Sequence, residues 1–256
     1  MRIAISALLL VPAAAFASSA FDGTWKARVD SLKVTGKPDV FVIADGMYTC
    51  TSCSPQIKVK ADGTDQKVSG HDYYDSVAVK IVDPHTVEIT NKRAGKVVGT
   101  NSLAVSGDGA ILEGKFTDYN GAKPATGSYT EKRVAAAPTG AHAVSGSWQQ
   151  NSLSEGNDAL TVVSYKMGSD GLTMQSNGQS YEAKFDGKEY PIAGDPGHTS
   201  VTLKKVDANT VEETDHRGGK VTDEIRLATS KDGKTLEVTD KDVVHGQTTT
   251  LTLEKQ

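Results

Sequence analysis

One stretch of this chain occurs twice. Residues 62–97 read DGTDQKVSGHDYYDSVAVKIVDPHTVEITNKRAGKV, and residues 186–221 read DGKEYPIAGDPGHTSVTLKKVDANTVEETDHRGGKV. They align without a gap and agree at 16 of 36 positions. Self-similarity of that order marks a duplicated unit. The offset, 186 − 62 = 124 residues, is far longer than a solenoid period. Each copy is therefore expected to be a whole domain of about 110 residues, large enough for one modest core.

Both copies open on the same short motif, Gly23-Thr24-Trp25 and Gly146-Ser147-Trp148, which contains the only two tryptophans. A Trp fixed at the start of each copy suits a plug at one end of each core, with an indole N–H that needs an acceptor. A ligand-stacking Trp is the alternative.

The rest of each copy reads as short strands. In Ser76 to Val82, SVAVKIV, alternation puts Val77, Val79 and Ile81 on one face and Lys80 on the other. Asp45-Gly46, Asp83-Pro84, Arg93-Ala94-Gly95-Lys96 and Gly107-Asp108-Gly109 are turn signals between such runs. They recur roughly every ten residues and no stretch holds a helical period with caps, which indicates a sandwich or barrel. Residues 135–144, small and rich in Ala with Pro and Gly, read as a linker. The expected fold is all-β: two tandem antiparallel up-and-down barrels of about eight to ten strands each. The first spans residues 21–134 and the second 145–256.

The N-terminus has a short positive region at Arg2, an apolar run from Ile3 to Val11 and an Ala15-Phe16-Ala17 cleavage pattern. Residues 1–17 thus read as a signal peptide, and the protein as exported, periplasmic or secreted. The formal net charge of −4, with no long block of one sign, argues against nucleic acid or an anionic membrane as the main partner.

The Gly-x-Trp start followed by a strand meander resembles the calycin group, the lipocalins and fatty-acid-binding proteins. The run from Asp186-Gly187 through Val221 to Ser230-Lys231-Asp232-Gly233 is similar to lipocalin-like domains of secreted bacterial proteins of unknown function. The resemblance implies a basic residue from the end of each barrel packing over the Gly-x-Trp tryptophan. Arg133 is the match for Trp25, and Lys255 for Trp148.

Few residues suggest chemistry. Cys50 and Cys53 form Cys-x-x-Cys and are the only cysteines. In an exported chain they are expected to pair as a local structural disulfide; a redox or metal role and free thiols are the other readings. The second copy has neither, so the shared fold does not need them. His71, in Gly70-His71-Asp72-Tyr73-Tyr74-Asp75, is either part of a polar rim at a barrel mouth or of a solvated loop whose tyrosines cover the barrel end. Strand parity puts Val87, Ile89, Asn91 and Arg93 on one face, and Val211, Glu213, Asp215 and Arg217 on the matching face. If the valines point inward, Glu213 replaces an inward Ile89, and Glu213 with Arg217 makes a polar interior. If these strand ends reach solvent, the contrast means nothing. No phosphate loop, metal-spaced histidines or paired nucleophile and base is present.

The expectation is a non-enzymatic binding protein, each barrel holding a small, largely apolar ligand, with no cofactor or metal. Tyr73, Tyr74, His71, Glu213, Arg217 and Arg93 are the candidate ligand residues. A structural or interaction module of the envelope with solid barrels is the second reading, and an enzyme of unknown type the third.

Overall fold

A computed structural model describes residues 19–256, so the expected signal peptide lies outside the described residues. The first copy supplies strands β1 (Gly23–Ala27), β2 (Lys33–Gly36), β3 (Asp39–Ala44), β4 (Met47–Cys50), β5 (Ile57–Lys60), β6 (Gln66–Lys67), β7 (Ser76–Asp83), β8 (Thr86–Arg93), β9 (Lys96–Val105), β10 (Ile111–Asp118) and β11 (Ala125–Ala135). The second supplies β12 (Gly146–Gly156), a four-residue helix α1 (Asp158–Thr161), β13 (Val162–Met167), β14 (Gly171–Ser176), β15 (Gln179–Lys184), β16 (Tyr190–Pro191), β17 (Ser200–Lys205), β18 (Thr210–Arg217), β19 (Lys220–Thr229), β20 (Thr235–Asp242) and β21 (Gln247–Lys255).

The protein is all-β, with two antiparallel, nearly closed barrel sheets. Period-2 burial is clean where one face meets the core. In β5 Ile57 and Val59 are buried while Lys58 and Lys60 are exposed. Asp45-Gly46, Ala94-Gly95 and Asn177-Gly178 have positive φ at both turn residues. That is the handedness a two-residue hairpin needs to match strand twist. Each barrel's remaining gap is spanned by a single bridge, Asp62 to Lys80 in one and Ser180 to Ala193 in the other.

The order of strands does not follow the sequence copies. One sheet runs β5-β4-β3-β12-β11-β10-β9-β8-β7-β6, and the other β15-β14-β13-β1-β21-β20-β19-β18-β17-β16. The two copies have exchanged their first strands. β12 lies between β11 and β3, with Trp148 opposite Arg133 on one side and Asp39 on the other. β1 lies between β21 and β13, with Trp25 opposite Lys255 and Val163. The local reason is chain continuity. After β11 the linker turns back, and β12 pairs along β11 from Ala135 to Gly127 as a hairpin would; consecutive strands meet most readily. The place left for a first strand beside β21 is then filled by β1, and β2 continues along the same strand, Lys33 opposite Thr250 and Gly36 opposite Gln247. The expected division at the linker is thus cut across: each barrel borrows its first strand from the other copy.

The expected tryptophan partners are corrected by the same exchange. The Arg133 guanidinium lies 4.0 Å from the Trp148 ring centre, not over Trp25. The Lys255 ammonium lies 4.7 Å from the Trp25 ring, not over Trp148. Both indoles are fully buried. Each donates its N–H to a carbonyl four residues upstream, Trp25 to Phe21 and Trp148 to Val144, both at 2.9 Å. Burial of so large an apolar ring with its one polar group satisfied fits a core plug.

Candidate functional site

The loop from His71 to Asp75 lies where the two barrels meet. Arg217 of the second barrel donates to the Asp72 carboxylate at 3.2 Å and to the Thr199 hydroxyl at 3.1 Å, and its guanidinium sits 5.1 Å from the Tyr73 ring centre. Arg93 of the first barrel donates to the Pro196 carbonyl at 2.8 Å. Tyr73 fills the space a side chain at Gly197 would need. His71 stacks on Tyr74 at 4.6 Å, and Tyr74 packs on the first core. The structure therefore brings Tyr73, Arg217 and Arg93 to one contact between barrels, keeps His71 and Tyr74 beside it, and leaves Glu213 apart.

Glu213 points into the second barrel. It is buried, and its carboxylate accepts a 2.6 Å hydrogen bond from the Tyr181 hydroxyl. Asp215 is its neighbour on the same face, and burial drives both carboxyls well above their ordinary range. Asp240 is pushed up to about 6, and Asp223 is also raised, by burial and by neighbouring carboxylates. Asp215 Oδ1 and Asp240 Oδ1 are buried without a hydrogen-bond partner.

The first barrel has its own buried acid, which the sequence reading did not single out. Glu131, on β11, is only 5% exposed and its Oε2 has no partner. Burial, then the charge and hydrogen bond of adjacent Asp39, push its carboxyl up to about 8. Asp39 is raised by burial and eased down by the charge of His245 from the second barrel. Among the described residues neither carboxyl is paired with a basic side chain.

The two acidic groups do not correspond. The register that sets Asp39 opposite Trp148 sets Val163 opposite Trp25, and Leu253 takes the place of Glu131 opposite Leu236. Conversely, 124 residues before Glu213, Asp240 and Tyr181 stand Ile89, Phe116 and Ile57. Glu213, Asp240, Glu131 and Asp39 thus occupy sites that the other copy fills with apolar side chains, so the shared barrel does not require an acid there. The only sequence signal was this comparison of copies at fixed parity. It singles out Glu213, which lies within the ungapped repeat of residues 186–221, but not Glu131 on β11, which lies beyond residues 62–97.

Two related clefts lie between the barrels. One, of about 520 Å³, is bounded by Ala122 and Lys123 of the first barrel and by the hairpin from Gln175 to Ser180 of the second. Asn177 joins its walls, donating to the Lys123 carbonyl at 2.9 Å and accepting from the Lys123 amide at 3.0 Å. The other, of about 600 Å³, is bounded by Lys37 to Val40 and the loop from Thr51 to Gln56 of the first barrel, and by Val244, His245 and Gln247 of the second. Asp39 is in its wall. The Cys50–Cys53 disulfide stands here in place of the Asn177 turn. Cys50 is buried in the first core and Cys53 lines the cleft. His245 is held by Asp242, Nδ1 to Oδ2 at 2.6 Å.

Among the described residues, no three His, Cys, Asp or Glu side chains converge as a metal site would require, and no helix is long and apolar enough to cross a membrane. No family model, curated protein or solved structure matches the chain.

Proposed function

We propose that this chain is an exported, non-enzymatic, lipocalin-like binding protein that takes a small ligand in the clefts between its barrels. The observation that carries the reading is the pair of equivalent clefts, about 520 and 600 Å³, each walled by both copies. That is the size range of small-molecule sites, which favour the junction of two folding units. The barrel interiors are occupied at their tryptophan ends by fully buried Trp25, Leu172, Leu227 and Leu236 in one and by Trp148, Leu112, Val79 and Val87 in the other. This packing favours the clefts over the barrel axes as the seat of a ligand. The same packing favours a second reading, a solid envelope module that uses its surface alone.

Native mass spectrometry of protein taken from its exported compartment, before and after organic extraction, tests the proposal. Excess mass that extraction removes is the expected result. A bare mass, unchanged after incubation with small amphiphiles, would favour the solid module.

A further inference from the structure

We propose that the Cys50–Cys53 disulfide is a thiol–disulfide exchange site: a small thiol entering the cleft beside it attacks Cys53, and Cys50 leaves. This goes beyond the binding function. It needs a cleft that admits small molecules, not one that holds a resident ligand.

The two sulfurs have different surroundings. Cys50 is 3% exposed and belongs to the first core, while Cys53 is half-buried and lines the cleft of about 600 Å³. A thiolate attacks one sulfur from the side opposite the other. Attack on Cys50 would have to come through the core, so the open approach is to Cys53, from the cleft. The leaving sulfur is prepared. Cys50 Sγ accepts the Cys53 amide N–H at 3.1 Å and lies 3.6 Å from the Ser52 hydroxyl, so negative charge appearing there meets two donors. Lys37 lines the same cleft without an ion pair among the described residues, and its charge favours the entering thiolate.

The other copy closes the same hairpin without this bond. At an offset of 124 residues, Cys50 and Cys53 become Met174 and Asn177. There β14 and β15 stay paired up to Ser176 and Gln179, whereas in the first copy the ladder stops at Cys50 and Ile57. Asn177 also clamps the Lys123 backbone of the other barrel. The loop from Thr51 to Gln56 has no such clamp. Among the described residues, all its hydrogen bonds stay within its own barrel. Where the second copy has a docked turn, the first thus has a disulfide-closed loop with no hydrogen bond across the junction.

The exchange balances without a further oxidant. The thiol gives its proton to water and its sulfur bonds Cys53 Sγ. The Cys50–Cys53 bond breaks, and the Cys50 thiolate takes a proton from water. A second thiol attacks the small molecule's sulfur in this mixed disulfide, and Cys53 leaves as a thiol. Two small thiols are oxidised to one disulfide, and the protein disulfide is reduced to two thiols.

Reduction of the full chain by excess 2-mercaptoethanol under native conditions, with iodoacetamide trapping and intact mass, tests this. Attack through the cleft should proceed at a rate that changes less than about twofold between no urea and sub-denaturing urea, with native circular dichroism throughout. A rate that climbs with urea would mean that the bond is reached only when the fold opens, and would overturn the proposal. Two variants locate the attacked sulfur. Cys50→Ser should form a mixed disulfide with 2-hydroxyethyl disulfide at least about tenfold faster than Cys53→Ser, whose remaining thiol lies in the core. Equal rates would overturn the proposal as well. The reduction kinetics of the wild type need neither variant to fold. An inert disulfide in a protein that still yields an extractable ligand would remove the exchange site and leave the binding function. Ready exchange in a protein of bare mass would do the reverse.

Discussion

Arg93 and Arg217, 124 residues apart, reach across the junction to corresponding positions of each other's barrel. Arg93 takes the Pro196 carbonyl and Arg217 the Asp72 carboxylate, and Pro196 is itself 124 residues after Asp72. The contact is therefore isologous, as in a two-fold dimer, although both partners lie in one chain. The two arms have diverged. Arg217 adds the Thr199 hydroxyl and the Tyr73 ring. Arg217→Ala is expected to cost roughly 1–2 kcal/mol, with Arg93→Ala costing less, since Arg93 makes a single hydrogen bond, to a carbonyl, where Arg217 makes two and a ring contact. Urea unfolding of the two variants checks the order; equal losses would show that the Tyr73 stack contributes nothing.

The caps over the tryptophans predict a second asymmetry. Arg133 satisfies three carbonyls, while Lys255 reaches one, that of Ala20 at 3.0 Å. Arg133→Ala should destabilise by roughly 2–4 kcal/mol and Lys255→Ala by about 1 kcal/mol, because buried carbonyls left without donors carry the larger penalty. Thermal unfolding with Trp fluorescence reads both. A larger loss at Lys255 would contradict the assignment.

Strand exchange has a consequence for folding units. A chain cut within the linker, between Thr139 and Gly140, should leave two fragments that do not fold alone. Each would lack the first strand of its barrel and the Trp that plugs it, side chains whose removal costs about 3–5 kcal/mol by truncation alone. Mixed, the fragments should assemble one to one. Size exclusion and circular dichroism decide this, and a natively folded single fragment would rule it out.

Glu131 makes stability depend on pH. Its folded pKa, about 8, lies above its unfolded value, so the native state binds more protons between the two. Stability then falls as pH rises from about 4.5 to about 8, by a few kcal/mol in order of magnitude. Glu131→Gln keeps the shape without the charge. It should flatten this limb and exceed the wild type at pH 8, though not at pH 5. Unfolding midpoints at the two pH values test it; an unchanged slope would mean that the second barrel's acids govern the limb.

How much of this was written in the sequence is clear from particular residues. The repeated frame around Asp62 and Asp186, the alternation in SVAVKIV and the Asp45-Gly46 turn all depend on neighbours a few positions away, so they announced two β units of about eight to ten strands each. The Cys50–Cys53 pair was equally local. Parity also put Glu213 on the face of Val211, although whether that face was interior or frayed to solvent depended on neighbours in other strands.

The tertiary structure alone decided which barrel each Gly-x-Trp strand would enter. Trp25 and Trp148 carry the same local signal, which does not name the sheet that each joins. The hairpin across the linker, made by pairing β12 along most of β11, settles the choice by proximity in the chain. Closure of the first sheet also sets Asp39 and Glu131, 92 residues apart, side by side. Duplication and strand periodicity are short-range properties, legible in one dimension. A carboxyl pair joined across an exchanged strand is a long-range one, fixed only when both sheets close.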